Sequence, residues 1–296
     1  MDWGFAPLKE QTYLRNPRLD SSVRVCRMPK IAILSDIHGN LPAFQAVLKR
    51  VAKSGAQEIA FGGDIVGYGA SPADCVDLVR NLKGPCVLGN HDAYTKDVAE
   101  KGEESLYKGW EANPVWAGAA LAVRQMTRES LEWLWGRPWF LHLEGAVLAH
   151  ASLHDINNWP YLEGDESAAP TLAVLKEKGF GLGFFGHIHR LGIYFDKAAR
   201  VVPEQISEDK YLIPKGSVCA VTVGSVGQSR EEGDDRATWV TWDSDERIVE
   251  FHRNYYSSIR AAREIIEAAL PMESAMRLMP ANPRQSDEDK KIMQPE

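Results

Sequence analysis

Residues 31–40 read Ile31-Ala32-Ile33-Leu34-Ser35-Asp36-Ile37-His38-Gly39-Asn40. The first four form a wholly apolar run, the pattern of a strand buried on both faces. The next six break it with polar and glycine residues. Pro42 then fits the first turn of a helix, and Ala43, Val47, Leu48 and Val51 recur at helical spacing. Gly55 stands where a C-terminal cap belongs. The same grammar recurs downstream. An apolar run at 59–61 is broken by Gly62-Gly63-Asp64. Ser71, Pro72 and Asp74 read as N-cap, N1 and N3 of a helix that carries Cys75, Leu78, Val79 and Leu82 and stops at Gly84. Residues 85–88 read as a third strand, broken by Gly89-Asn90-His91-Asp92. Strand, loop and helix in this order predict a partly parallel sheet covered by helices. Ligands of such sheets bind at loops beyond the carboxyl ends of the strands.

Outward from this core the pattern continues. Residues 93–137 read as mainly helical and rich in tryptophan, with packing or a lid as their expected role. Strands are expected at Ala146–Ala149 and Leu182–Phe185, with a helix at 171–178 between them. Beyond residue 190 the period shifts toward two, giving strands near 191–195, 218–223, 237–242 and 247–251, then a helix at 259–270. Residues 1–27 are irregular, with Pro7 and Pro17, and read as an N-terminal extension. Residues 28–280 read as one domain and 281–296 as a polar, frayed tail.

Composition narrows the function classes. Of 296 residues, 44% are hydrophobic and 25% charged, which excludes a disordered or low-complexity chain. The net charge of −7 argues against general nucleic-acid binding or membrane-surface binding. It is compatible with a small phosphorylated substrate, because a local metal site reverses the local field. No apolar run approaches the roughly 18 residues of a spanning helix, and the first residues hold no signal-peptide core. The cysteines, Cys26, Cys75, Cys86 and Cys219, form no C-x-x-C pair. A zinc knuckle is not indicated, and a cytoplasmic, reducing location is the default expectation.

The chain has 8 histidines, and His38, His91, His150, His187 and His189 all fall at expected strand ends, beside Asp36, Asp64 and Asn90. Taken singly, each is a turn or a helix cap. Together, carboxylates, an amide oxygen and imidazoles without a thiolate suit borderline divalent ions such as Mn²⁺, Fe²⁺, Zn²⁺, Co²⁺ or Ni²⁺. The Asp36-Ile37-His38 and His187-Ile188-His189 triplets each offer two donors around an isoleucine that turns to the core. His142 and His252 lie outside the pattern and read as structural. No Walker sequence, G-x-G-x-x-G or G-x-S-x-G is present.

Asp36-Ile37-His38, Gly63-Asp64, Gly89-Asn90-His91-Asp92, His150 and Gly186-His187-Ile188-His189, in that order, resemble the calcineurin-like metallophosphoesterase superfamily. The runs 35–40, 63–69 and 224–228 look like its small bacterial phosphodiesterase branch. The resemblance covers roughly residues 30–270 and implies an α/β fold, a four-layer αββα sandwich of two mixed sheets packed face to face. It implies a pair of divalent ions, with Mn²⁺ favoured. Asp36, His38, Asp64 and His189 would hold one, and Asp64, Asn90, His150 and His187 the other, with Asp64 bridging alongside a hydroxide. That hydroxide would attack phosphorus in line while His91, oriented by Asp92, assists the leaving group. One departure is Ala151, where the family often has glycine after this histidine. His154 stands where relatives often carry an arginine that could touch phosphate. Tyr68, in a glycine-rich loop, is a second candidate substrate contact.

The expected activity is phosphoester hydrolysis, with a phosphodiester favoured because no arginine sits in the matched motifs to grip a terminal phosphate. The alternatives are a phosphomonoesterase, such as a protein phosphatase or dinucleoside polyphosphate hydrolase, and a non-catalytic scaffold. A homo-oligomer is compatible with the sequence.

Overall fold

The computed structural model describes residues 28–197, 200–203 and 209–279. The extension and tail expected at 1–27 and 281–296 lie outside the described residues. β1 (Ile31–Leu34) is buried along its whole length, as its apolar run demands. It pairs in parallel with β2 (Glu58–Phe61) and antiparallel with β10 (Ala237–Asp243). β11 (Ile248–Asn254) and β8 (Lys210–Leu212) extend this sheet, whose order is β2-β1-β10-β11-β8. A second sheet of six strands runs β3-β4-β5-β9-β6-β7. Its strands are β3 (Phe140–Leu143), β4 (Ala146–Ala149), β5 (Leu182–Phe185), β6 (Leu191–Lys197), β7 (Arg200–Pro203) and β9 (Cys219–Val223). The β4-β5-β9 ladder is parallel and the other pairings are antiparallel, so both sheets are mixed.

Side chains alternate across a strand, and this alternation builds the layers. Ile31 and Ile33 face inward with Val240, Trp242 and Phe251, meeting Leu148, Phe184, Ile193 and Val221 of the second sheet. Ala32 and Leu34 face outward. They pack under α1 (Leu41–Val51) and α2 (Pro72–Leu82) through Phe44, Val47, Val76 and Val79. α4 (Pro114–Gln125), α5 (Arg128–Trp135) and α7 (Ser258–Glu267) complete that layer. On the far side, Val147, Ala149, Phe185 and Ala220 bury α6 (Asp165–Glu177) through Ala168, Leu172 and Leu175. The result is the expected αββα sandwich. Truncating Phe184 between the sheets would cost about 3–5 kcal/mol.

Several local expectations are corrected. Residues 85–88 form a single parallel bridge, Phe61 to Cys86, rather than a full strand. Pro85 has no N–H to extend a ladder, and Leu88 donates instead to the Pro138 carbonyl at 2.8 Å. α1 ends at Val51, so Gly55 lies in the following turn rather than at the cap. α2 ends at Leu82 with Lys83 in the left-handed conformation expected of Gly84. Ser71 sits at the N-cap but makes no side-chain capping bond. α6 starts before the expected 171–178 and accommodates Pro170. Strands β3, β7 and β8 were not anticipated. Cys75, Cys86 and Cys219 are free and buried, and burial raises all three thiols.

Candidate metal centre

The loops after β1, β2, β4 and β5 meet at one end of the sandwich. Their backbones are laced together: Asp36 N–H donates to Gly63 O at 3.0 Å, His38 N–H to Asp64 O at 2.9 Å and Gly186 N–H to His150 O at 2.7 Å. The 224–228 loop backs the first of them through Val226 N–H to Ser35 O and Gly227 N–H to Asp36 O. Asp36, His38, Asp64, His187 and His189 all adopt positive φ, between 51° and 67°. Such strained backbone persists where surrounding structure dictates it, and it clusters at functional sites. Ile37 and Ile188, between the two donors of each triplet, are buried. Asn90 and His91 come from the first turn of α3 (Asn90–Lys101). Gly67, φ 125°, leaves room that a Cβ would deny, since it would stand 2.7 Å from Nδ1 of both His38 and His91.

The expected donors converge. Asp36, His38 and His189 offer ligand atoms within 4.8 Å of one another, as do Asp64, His150 and His187, and as do His38, Asp64 and His91. His38 Nε2 lies 3.0 Å from His189 Nε2, and His189 Nε2 lies 3.1 Å from Asp36 Oδ1. His150 Nε2 is 3.0 Å from Asn90 Oδ1 and 3.3 Å from Asp64 Oδ2. All are buried.

Proton counting shows what this pocket needs. His38, His150 and His189 each place Nδ1 against a backbone carbonyl, of Val66, Gly62 and Gln228, at 3.1, 2.8 and 2.6 Å. A carbonyl only accepts, so each Nδ1 carries a proton, and Nε2 is the atom each ring turns to the pocket. The Nε2 atoms of His38 and His189 therefore face each other, and that of His150 faces the oxygens of Asn90 and Asp64. Asp64 Oδ2 and His91 Nδ1 are buried without a hydrogen-bond partner. Lone pairs collected in this way fit divalent cations, and carbonyl-bonded Nδ1 is the usual support of a metal-binding imidazole.

Electrostatics follow burial and neighbours. Burial pushes the His91 imidazole down to about 4, although Asp64 pulls it up. Burial, with His150 next, lowers His187 to about 3, and burial with His91 lowers His38 well below its ordinary value. Burial also opposes charge on His150, yet Asp64 beside it lifts it to about 9. Asp36 and Asp64 stay well below the usual carboxylate range despite burial, held by His189 and His150 respectively.

Asp92 differs from its expected role. Its carboxylate accepts from the N–H groups of Ile65, Val66 and Gly89 at 2.9, 3.2 and 3.1 Å. It therefore braces the loop that carries Asp64 rather than gripping the His91 ring. Burial, with Asp64 next, raises it to about 7. Tyr68 flanks the pocket, its ring 4.7 Å from His38 and 4.5 Å from His91. His154 is exposed, donates its backbone N–H to Ser152 Oγ at 3.0 Å and belongs to none of the donor groups.

Two features were not read from the sequence. Arg230 donates its N–H to the His189 carbonyl at 3.0 Å, and its buried Nε lacks a hydrogen-bond partner. Its guanidinium opposes the burial that pushes the Tyr68 phenol to about 12. Its only sequence signal was its position just after the 224–228 loop. The second feature is Tyr161, stacked on His187 with centroids 4.2 Å apart and planes 10° apart. No spacing rule links 161 to 187.

Residues 29–191 match the calcineurin-like phosphoesterases, and the chain belongs to that family. It is 30% identical over 249 residues to the uncharacterized protein MJ0912 of Methanocaldococcus jannaschii, covering 81% of this chain and 93% of that one. A crystal structure of a metallophosphoesterase from Sphaerobacter thermophilus superposes with a TM-score of 0.70 at 30% identity, covering 84% of this chain and 98% of that one. The protein PH1004 of Pyrococcus horikoshii OT3 shares the fold, with a TM-score of 0.64 at 18% identity over 86% of this chain and 99% of its own. The protein is thus a metal-dependent phosphoric ester hydrolase by family and fold. Among the described residues no helix is long and apolar enough to cross a membrane.

Proposed function

We propose that the protein hydrolyses phosphodiesters at a pair of divalent ions, with Mn²⁺ the favoured metal. The observation that carries this reading is the set of imidazole Nε2 atoms and carboxylates gathered in one buried pocket, with each Nδ1 of His38, His150 and His189 tied to a backbone carbonyl. Asp36, His38 and His189 would hold one ion, Asn90, His150 and His187 the other, and Asp64 both. When bound, such a pair would supply Lewis acidity toward phosphoryl oxygens and lower the pKa of a coordinated water to about 7. The chain itself supplies orientation. Gly62, Val66 and Gln228 carbonyls hold the imidazole tautomers, and Asp92 fixes the loop around Asp64. His91, neutral and backed by Tyr68, donates an N–H toward the leaving oxygen, a role worth typically 10²–10⁴-fold.

Arg230 favours a second reading, because a guanidinium whose charge reaches Tyr68 at the pocket wall suits the dianion of a phosphomonoester. The test is the ratio of kcat/KM for bis(p-nitrophenyl) phosphate and p-nitrophenyl phosphate on Mn²⁺-loaded protein. A ratio above one supports the diester reading. A ratio below one that reverses in Arg230→Gln replaces it with the monoester reading.

A further inference from the structure

Beyond the ions, one wall of the pocket is aromatic. Tyr161 lies flat on His187, yet 46% of its surface is exposed. One ring face is therefore occupied by a candidate ligand and the other is open. Beside it, Trp159 meets His150 edge-on, with centroids 5.6 Å apart and planes 75° apart. Trp139 stacks on Trp159 at 4.7 Å and 30°, and stays 36% exposed. The three aromatic residues thus line the His150–His187 side of the centre.

The wall is held in place. The Pro138 carbonyl accepts from Leu88 N–H at 2.8 Å, anchoring Trp139 to the segment before Asn90. Asn158 closes its turn by donating Nδ2 to Asp155 and its backbone N–H to Asp155 O, each at 2.9 Å. Trp159 then adopts φ 51°, left-handed backbone that a bulky aromatic residue rarely takes. Core packing does not account for exposed rings in such an arrangement. A flat surface beside a phosphate-binding centre does.

We propose that Trp139, Trp159 and Tyr161 form a stacking platform for the nucleobase of a nucleotide ester whose phosphate sits on the metal centre. This rests on the phosphoester reading above and names the substrate class for that site. A ring laid on the open face of Tyr161 continues the stack begun by His187, and every nucleobase offers a π-face for it.

Equilibrium dialysis of metal-loaded protein tests the platform without turnover. The probes are the methylenephosphonate analogues of AMP and of ribose 5-phosphate, whose phosphorus–carbon bond resists hydrolysis. The base-bearing analogue should bind at least about fivefold more tightly, the lower end of one base–aromatic stack. Tyr161→Leu combined with Trp139→Leu should bring the ratio near one, and Tyr161→Phe should preserve it. A wild-type ratio near one, binding of neither probe at millimolar concentration, or an unchanged ratio in the double variant overturns the inference. Turnover of bis(p-nitrophenyl) phosphate on the same preparation reports the hydrolase reading separately. Protein that turns over with a ratio near one loses only the platform.

Discussion

The two sheets contribute unlike halves to one pocket. The sheet containing β1 and β2 ends in both carboxylates, Asp36 and Asp64, with His38 beside them. The sheet containing β4 and β5 ends in imidazoles alone, His150, His187 and His189. Contacts cross between them: His187 N–H donates to Asp36 at 3.0 Å, and His150 Nε2 faces Asp64 at 3.3 Å. Negative charge is thus concentrated on one wall and imidazoles on the other. Neither half can saturate a cation, so the site exists only while the sheets are packed face to face, and a bound ion should in turn hold them together.

The sharpest break of this asymmetry is Asp64→Ala, which takes the shared carboxylate from the charged wall. Hydrolysis should fall at least about a thousandfold, and bound metal should drop well below two equivalents. His187→Ala, on the imidazole wall, should retain about one equivalent; metal analysis beside rate measurement separates the two. His91→Ala removes neither wall and should lower kcat by about 10²–10⁴-fold with metal content intact. Metal loss alongside the rate would instead make His91 a ligand, as its nearness to His38 and Asp64 allows.

Chelation tests the coupling between walls. At a metal concentration about a hundredfold above Kd, binding stabilises the fold by about 2.7 kcal/mol. Removing it should lower Tm by about 4–5 °C in a chain of this size. An unchanged Tm would mean that the ions do not clamp the sheets. Asp92→Ala leaves the N–H groups of Ile65 and Val66 without their acceptor and should cost about 1–3 kcal/mol by urea unfolding.

The smallest effect is a control far from the pocket. His252 stacks on Trp239 at 4.0 Å, and burial, against the pull of Glu250, lowers it to about 4. Its folded value lies below its unfolded value of 6.5. The unfolded chain therefore binds more protons between these values. The contribution of His252 is complete above pH 6.5 and is lost as pH falls toward 4, with a slope of at most about 1.4 kcal/mol per pH unit. His252→Gln should flatten that part of the urea-midpoint profile; an unaltered profile would assign the slope to other groups.

Much of this was legible in the sequence because apolar runs and their polar breaks report burial directly. β1, β2, β4 and β5 each end at the expected donors. What stayed hidden was non-local. Asp92 sits next to His91 in the chain, yet its carboxylate faces backbone N–H groups of 65 and 66. Edge strand β8 is short and largely exposed, so it leaves little apolar signature. Residues 85–88 look like a strand but Pro85 limits them to one bridge. The aromatic wall joins 139, 159, 161 and 187 across loops whose periodicity says nothing about contact.

Anomalous diffraction from crystals of Mn²⁺-loaded protein tests the central assignment most directly. Two peaks are expected, one bounded by Asp36, His38 and His189 and the other by Asn90, His150 and His187, with Asp64 between them. A single peak, or metal bound away from these side chains, would contradict a paired-ion centre built from both sheets.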